Sequence, residues 1–138
     1  MTNPSFMKRI YSIFLISLIL NFVWENLHSF LYSNYMGGKI TEFILFRASV
    51  ADAVIITLLC TPFLSFDFFK KNSWLIIAFG IIIAIIIERW GLGTGRWAYN
   101  AYMPLLPILG VGFTPILQLG LTGYAAYFLT KVDDRQYL

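Results

Sequence analysis

Long apolar runs alternate with short polar breaks along this chain, and the length of the runs decides how it reads. Four are long enough to span a hydrocarbon layer of ~30 Å, which takes ~20 helical residues. They lie at about Ile10 to Tyr32, Ser49 to Phe66, Trp74 to Leu92 and Leu105 to Thr130. The breaks carry turn chemistry. Ser33 to Lys39 is a Gly-containing turn, Lys70-Lys71-Asn72-Ser73 ends on an N-cap candidate for the third helix, and Gly91 to Gly95 interrupts that helix at its far end. Ile40 to Ala48 is expected along the interface, with Ser49-Val50-Ala51-Asp52 opening the second helix as a capping box. Pro115 is expected to kink the fourth. The fold expected is all-α: one domain over residues 1–138, a bundle of four transmembrane helices.

Composition supports this. Hydrophobic residues are 59% and charged residues 12% of the 138, a surplus of apolar surface that a core of this size cannot bury, so lipid must cover it. Lys8-Arg9 precedes the first run as in a signal peptide, but the run is too long for one and no small-x-small site follows, which reads as an uncleaved helix. Lysine and arginine set the orientation. With the N-terminus inside, Lys8, Arg9, Lys70, Lys71, Lys131 and Arg135 are cytoplasmic, against Lys39, Arg47, Arg89 and Arg96 outside. A cell-membrane protein with both termini cytoplasmic is the expectation. The net charge of +3 belongs to membrane edges and points to no nucleic acid, and the single cysteine, Cys60, excludes an internal disulfide.

The two halves repeat faintly. Glu25 follows Arg9 by 16 residues and Glu88 follows Lys71 by 17; Trp24 adjoins the first and Trp90 lies two residues after the second, and each is followed by a Tyr-Met pair. Two helical hairpins of one design would bring both glutamates to the same depth.

Polar residues inside these runs carry the functional signal. Asn21, Glu25, His28 and Tyr32 recur at four, three and four, a single helical stripe. A carboxylate at that depth costs ~3 kcal/mol or more unless it finds a partner inside the bundle. Glu88 and Arg89 point about 100° apart, so one is expected to face inward and the other to snorkel. Thr114, Gln118 and Thr122 form a second stripe. The four-span topology gathers Glu25, His28, Asp52, Glu88, Arg96, Tyr99 and Asn100 towards one leaflet, the setting in which proton-transfer sites are built. Glu25-x-x-His28 has the form of a di-iron half-site, but His28 is the only histidine, so no metal site is expected. Gly91-Leu92-Gly93-Thr94-Gly95 follows a helix rather than a strand and implies no nucleotide. The sequence names no cofactor.

The stretch from Glu88 to Gln118 (ERWGLGTGRWAYNAYMPLLPILGVGFTPILQ) resembles the membrane-embedded lycopene cyclases of carotenoid biosynthesis. Those hairpins end in an acid, a Gly/Trp/Tyr-rich turn and a helix entered through a proline motif. Glu88, Gly95-Arg96-Trp97-Ala98-Tyr99 and Pro115 match that layout; Leu117 and Gln118 fall where the family has paired glutamates. The resemblance implies isoprenoid cyclisation or isomerisation, in which a buried acid protonates an alkene and aromatic faces stabilise the cation by about 2 kcal/mol. Glu25, Glu88, His28 and Arg96 are then the catalytic candidates. Asn21, Trp24, Asp52, Trp90, Trp97, Tyr99, Asn100 and Gln118 are the substrate-lining ones, around a cavity open to lipid. Expected partners are membrane lipid, an apolar small molecule and a second copy of the chain. Two other readings stay open, a cation or proton transport module and an accessory subunit.

Overall fold

The computed structural model describes residues 4–135, and side chains over residues 4–131. Its elements are α1 (Pro4–His28), continued by a 3-10 turn (Ser29–Leu31), β1 (Tyr32–Tyr35), α2 (Glu42–Ser65), a short α3 (Asp67–Lys71), α4 (Leu75–Gly93), β2 (Trp97–Tyr99) and α5 (Phe113–Arg135). Three of these, α1 with its 3-10 turn, α2 and α4, are long and apolar enough to cross a membrane. Their outward faces present Leu15, Ile19, Val23 and Leu27 on α1, Val54 and Leu58 on α2, and Ile82 and Ile86 on α4. Only hydrocarbon can cover such faces, and the chain is an integral membrane protein. The expected fourth span is helical over 23 residues, but threonine, glutamine and glycine dilute its apolar character. Arg135, counted in the cytoplasmic set, lies outside the residues whose side chains are described.

Two helix starts differ from the sequence expectation. Thr41, not Ser49, caps α2: its hydroxyl oxygen accepts the Ile44 N–H at 3.3 Å, and Glu42 supplies the acidic first turn. The residues from Glu42 to Ala48, expected at the interface, are therefore helical. Ser49 lies inside the helix, donating to the Leu45 carbonyl at 2.8 Å, and the capping-box reading of Asp52 falls. α5 begins at Phe113 rather than Leu105. Pro104 and Pro107 cannot supply helix N–H groups, and Gly110 adopts φ +66, so the intervening segment is a loop closed by a Leu105–Gly112 bridge. Pro115 thus falls in the first turn of α5, where a missing N–H costs nothing, and starts the helix instead of kinking it. Ser73 makes no side-chain cap; Trp74 precedes α4, and Ser73 contributes its carbonyl to Ile76 N–H at 3.0 Å.

A small sheet joins the two halves, an addition to the all-α expectation. β1 and β2 pair antiparallel, with Tyr32 opposite Tyr99 and Tyr35 opposite Trp97. The Asn100 N–H donates to the Leu31 carbonyl at 2.9 Å, and its side-chain amide donates to the Phe30 carbonyl. The chain leaving α1 is thereby tied to the chain leaving α4.

Packing follows hairpins. α1 lies along α2 and α4 along α5, with a further contact between α1 and α5. A two-fold axis relating the hairpins would make α2–α4 the equivalent of α1–α5, yet α2 and α4 touch little. The half of the bundle away from the sheet is closed by Ile13, Ile56, Phe63, Ile76, Leu119 and Tyr127. There α4 and α5 meet backbone to backbone: a Cβ on Gly80 would stand 2.5 Å from the Gly120 Cα, the close approach that small residues allow between membrane helices. Gly80→Leu is expected to cost about 1–3 kcal/mol by overpacking, read as a lowered unfolding midpoint in detergent, while Ile82→Leu on the lipid face leaves the midpoint unchanged.

Candidate functional site

The gap between α2 and α4 is a cavity of about 350 Å³. Its sides are Ile44, Ala48, Ala51 and Ile55 on α2, and Ala84 and Ile87 on α4. Glu25, Pro115, Gln118 and Leu119 form its floor, and Tyr32, Asn34, Tyr35 and Trp97 its roof. Asp52 on α2 and Glu88 on α4 line it from opposite sides, together with the exposed Arg47 and Trp90 and the half-buried Arg96.

Two hydrogen-bonded centres meet this cavity. In the first, the Glu88 carboxylate accepts from the Tyr99 hydroxyl at 2.5 Å and the Trp97 indole N–H at 3.1 Å, with the Tyr32 hydroxyl 3.5 Å from both of its oxygens. Burial, then the neighbouring Glu88, pushes the Tyr99 phenol above its ordinary range, and the same two influences act on Tyr32. Both phenols therefore keep their protons and stay donors at neutral pH. Tyr99 is itself fixed by accepting the Gly112 N–H at 3.0 Å. Gly91 makes the seat for Trp97, because a Cβ there would collide with the indole ring. The split expected at Glu88-Arg89 holds: Glu88 is buried, and Arg89 is exposed and donates to the Leu109 carbonyl at 3.3 Å.

The second centre is built around Gln118. Its amide nitrogen lies 3.0 Å from three oxygens: Oδ1 of Asn21, Oε1 of Glu25 and Oδ2 of Asp52. An amide has two protons for those three acceptors. The Glu25 and Asp52 carboxyls thus converge on one amide nitrogen. The other Glu25 oxygen is 3.1 Å from His28 Nε2, and His28 Nδ1 is 3.3 Å from the Thr114 hydroxyl. Thr122 donates to the Gln118 carbonyl at 2.6 Å, and Asn21 donates to the Ser17 carbonyl at 2.8 Å. Both polar stripes face the bundle and meet each other.

Some expected site residues stand elsewhere. His28 lies behind Glu25 and does not line the cavity, so the ring of Glu25, His28, Glu88 and Arg96 is incomplete. Arg96 stacks over the Trp90 ring with its guanidinium carbon 4.7 Å from the ring centroid. Trp24 meets His28 edge-on at 6.5 Å, outside the cavity lining. Asn100 serves the loop between the halves. Tyr99 reaches the cavity only through Glu88. Sequence reasoning passed over Tyr35, Asn34 and Arg47. Arg47 was legible from Thr41-Glu42, a cap followed by an acid, which places it in the second turn of a helix.

The chain matches no protein-family model, no curated protein and no solved structure. Function therefore rests on this geometry.

Proposed function

We propose that this protein is a membrane enzyme that moves protons on an apolar, isoprenoid-type lipid held between α2 and α4, with α5 as a fourth span and both termini cytoplasmic. One observation carries the reading: three carboxyl side chains, Glu25, Asp52 and Glu88, stand on the wall of a cavity whose two sides are apolar helix faces. Such a cavity, mostly apolar with a few convergent polar groups, is the usual form of a small-molecule site. A chain inserted from the bilayer meets Ile, Ala and Leu before it meets an acid.

The residues divide into two roles. Asp52 and Glu25, with Gln118 between them, hold a proton and give it to an alkene carbon, forming a C–H bond and a carbocation. Glu88, which accepts from Tyr99 and Trp97 and faces the Tyr32 hydroxyl, takes the part of the base. It faces the cation and takes a proton from the neighbouring carbon, leaving a shifted or ring-closed alkene. No other reactant is consumed, and water returns the proton from Glu88 to the Asp52 side. Trp97, beside Glu88 on the cavity wall, is the aromatic placed to stabilise the cation. The layout shared with lycopene cyclases from Glu88 to Pro115 supports the isoprenoid class. Gln118 replaces one of that family's glutamates, and in this chain Glu25 and Asp52 supply the carboxyls beside it.

An ion pathway is less well supported, because beyond Gln118 the bundle is closed by the apolar cluster of Ile13, Ile56 and Phe63. The test is the organic extract of protein purified in mild detergent. Wild type is expected to retain an isoprenoid lipid in stoichiometric amount, and Ala48→Trp, which fills the cavity, to lose it. Identical extracts from both would contradict the reading.

A further inference from the structure

We infer that the ligand is an amphiphile whose phosphate-bearing head sits between Arg47 and Arg96 while its chain lies between α2 and α4; this rests on the cavity being a ligand site. Both arginines line the same cavity, Arg47 exposed and Arg96 half-buried. Among the described residues the ion pairs are His28 with Glu25 and Lys70 with Asp67, so neither arginine has a carboxylate partner. Each is instead oriented by an aromatic group. An Arg47 terminal nitrogen donates to the Tyr35 hydroxyl at 3.2 Å, and Arg96 lies 4.7 Å over the Trp90 ring. These contacts fix direction and leave the charge uncompensated.

The nearest acids do not supply that compensation. Glu88 is engaged by Tyr99 and Trp97, and Asp52 by Gln118. Two guanidiniums beside an apolar slot create a local demand for anionic charge. Their forked donors match phosphate oxygens in pairs. A headgroup there also sets the depth to which the chain reaches, which places one stretch of it beside Asp52 and Glu88.

Binding of defined probes to the full chain in neutral nanodiscs tests this. Farnesyl diphosphate carries head and chain, farnesol the chain alone, pyrophosphate the head alone, and phosphatidylglycerol the head of an ordinary lipid. Farnesyl diphosphate is expected to bind about tenfold or more tightly than farnesol, with pyrophosphate weak. The double variant R47Q/R96Q is expected to bind both isoprenoids equally, and its retained farnesol binding shows that the fold survives. Phosphatidylglycerol competing with the same arginine dependence supports the proposal and assigns the bilayer as the source of the head. Equal binding of farnesol and farnesyl diphosphate by wild type overturns it. So does pyrophosphate binding as tightly as farnesyl diphosphate, which marks a site for free phosphate. In wild type, absent head selectivity with chain binding intact sinks this inference alone, whereas no binding of any chain sinks the ligand-site reading as well.

Discussion

Glu88→Leu should unfold the sheet end of the bundle at markedly lower temperature, whereas Glu88→Gln should leave the fold nearly as stable as wild type. Leucine removes the acceptor from the Tyr99 hydroxyl and the Trp97 indole N–H, and takes away the group that the Tyr32 hydroxyl faces. Each buried donor left unmade costs about 1–3 kcal/mol, so a loss of roughly 3 kcal/mol is expected even with partial relaxation. Glutamine keeps one acceptor oxygen, and its amide protons can be accepted by the phenol oxygens, so its cost should stay under about 1 kcal/mol. Both variants should lose proton transfer, because neither carries a carboxylate to accept the proton. Unfolding midpoints, with tryptophan fluorescence reporting on the seat of Trp97, check the stability side. Equal midpoints for the two variants would mean that Glu88 is not held as described.

The second large effect is expected at Gln118. In Gln118→Leu the oxygens of Asn21, Glu25 and Asp52 lose their shared donor, and Asp52 is left buried without it while Glu25 keeps His28. Breaking a buried polar network on one side costs about 3–5 kcal/mol when charge is left behind. α5 should then detach from α1 and α2, since this amide is where its polar stripe meets both. Thr57→Val, on α2 outside this network, should cost far less. Its hydroxyl bonds only to the Ala53 carbonyl at 2.6 Å, within its own helix. Chemical unfolding in bicelles separates the two, and a Gln118→Leu protein as stable as Thr57→Val would refute the network.

Much of this site was legible from spacing alone. The stripes Asn21-Glu25-His28 and Thr114-Gln118-Thr122 run at helical period, and the cost of a lipid-exposed carboxylate leaves only one direction for them. Asp52 was legible as a lining candidate, but Ser49-x-x-Asp52 is also an acceptable cap locally, which left its place on the helix open. That cap is overridden by Thr41, whose choice lets Phe43 to Phe46 join the helix. The sheet was hidden for another reason. Tyr32 to Tyr35 and Trp97 to Tyr99 are too short to show a period of two, and each becomes a strand only when the other half of the chain arrives. Trp97 and Tyr99 were legible as lining candidates, and their hydrogen bonds to Glu88 follow from that long-range pairing. The start of α5 was misplaced because Leu105 to Val111 is apolar enough to continue a span. Two prolines and a positive-φ glycine decide against it locally.

Proton transfer on a bound lipid is the central claim, and deuterium reports it directly. Purified protein reconstituted with its co-extracted lipid should be incubated in D₂O and the lipid analysed by mass spectrometry. Wild type is expected to place deuterium on carbon in the lipid, while folded Glu88→Gln and Asp52→Asn proteins leave it unlabelled. Lipid that stays unlabelled with wild type, or takes up label equally with both variants, would contradict the account.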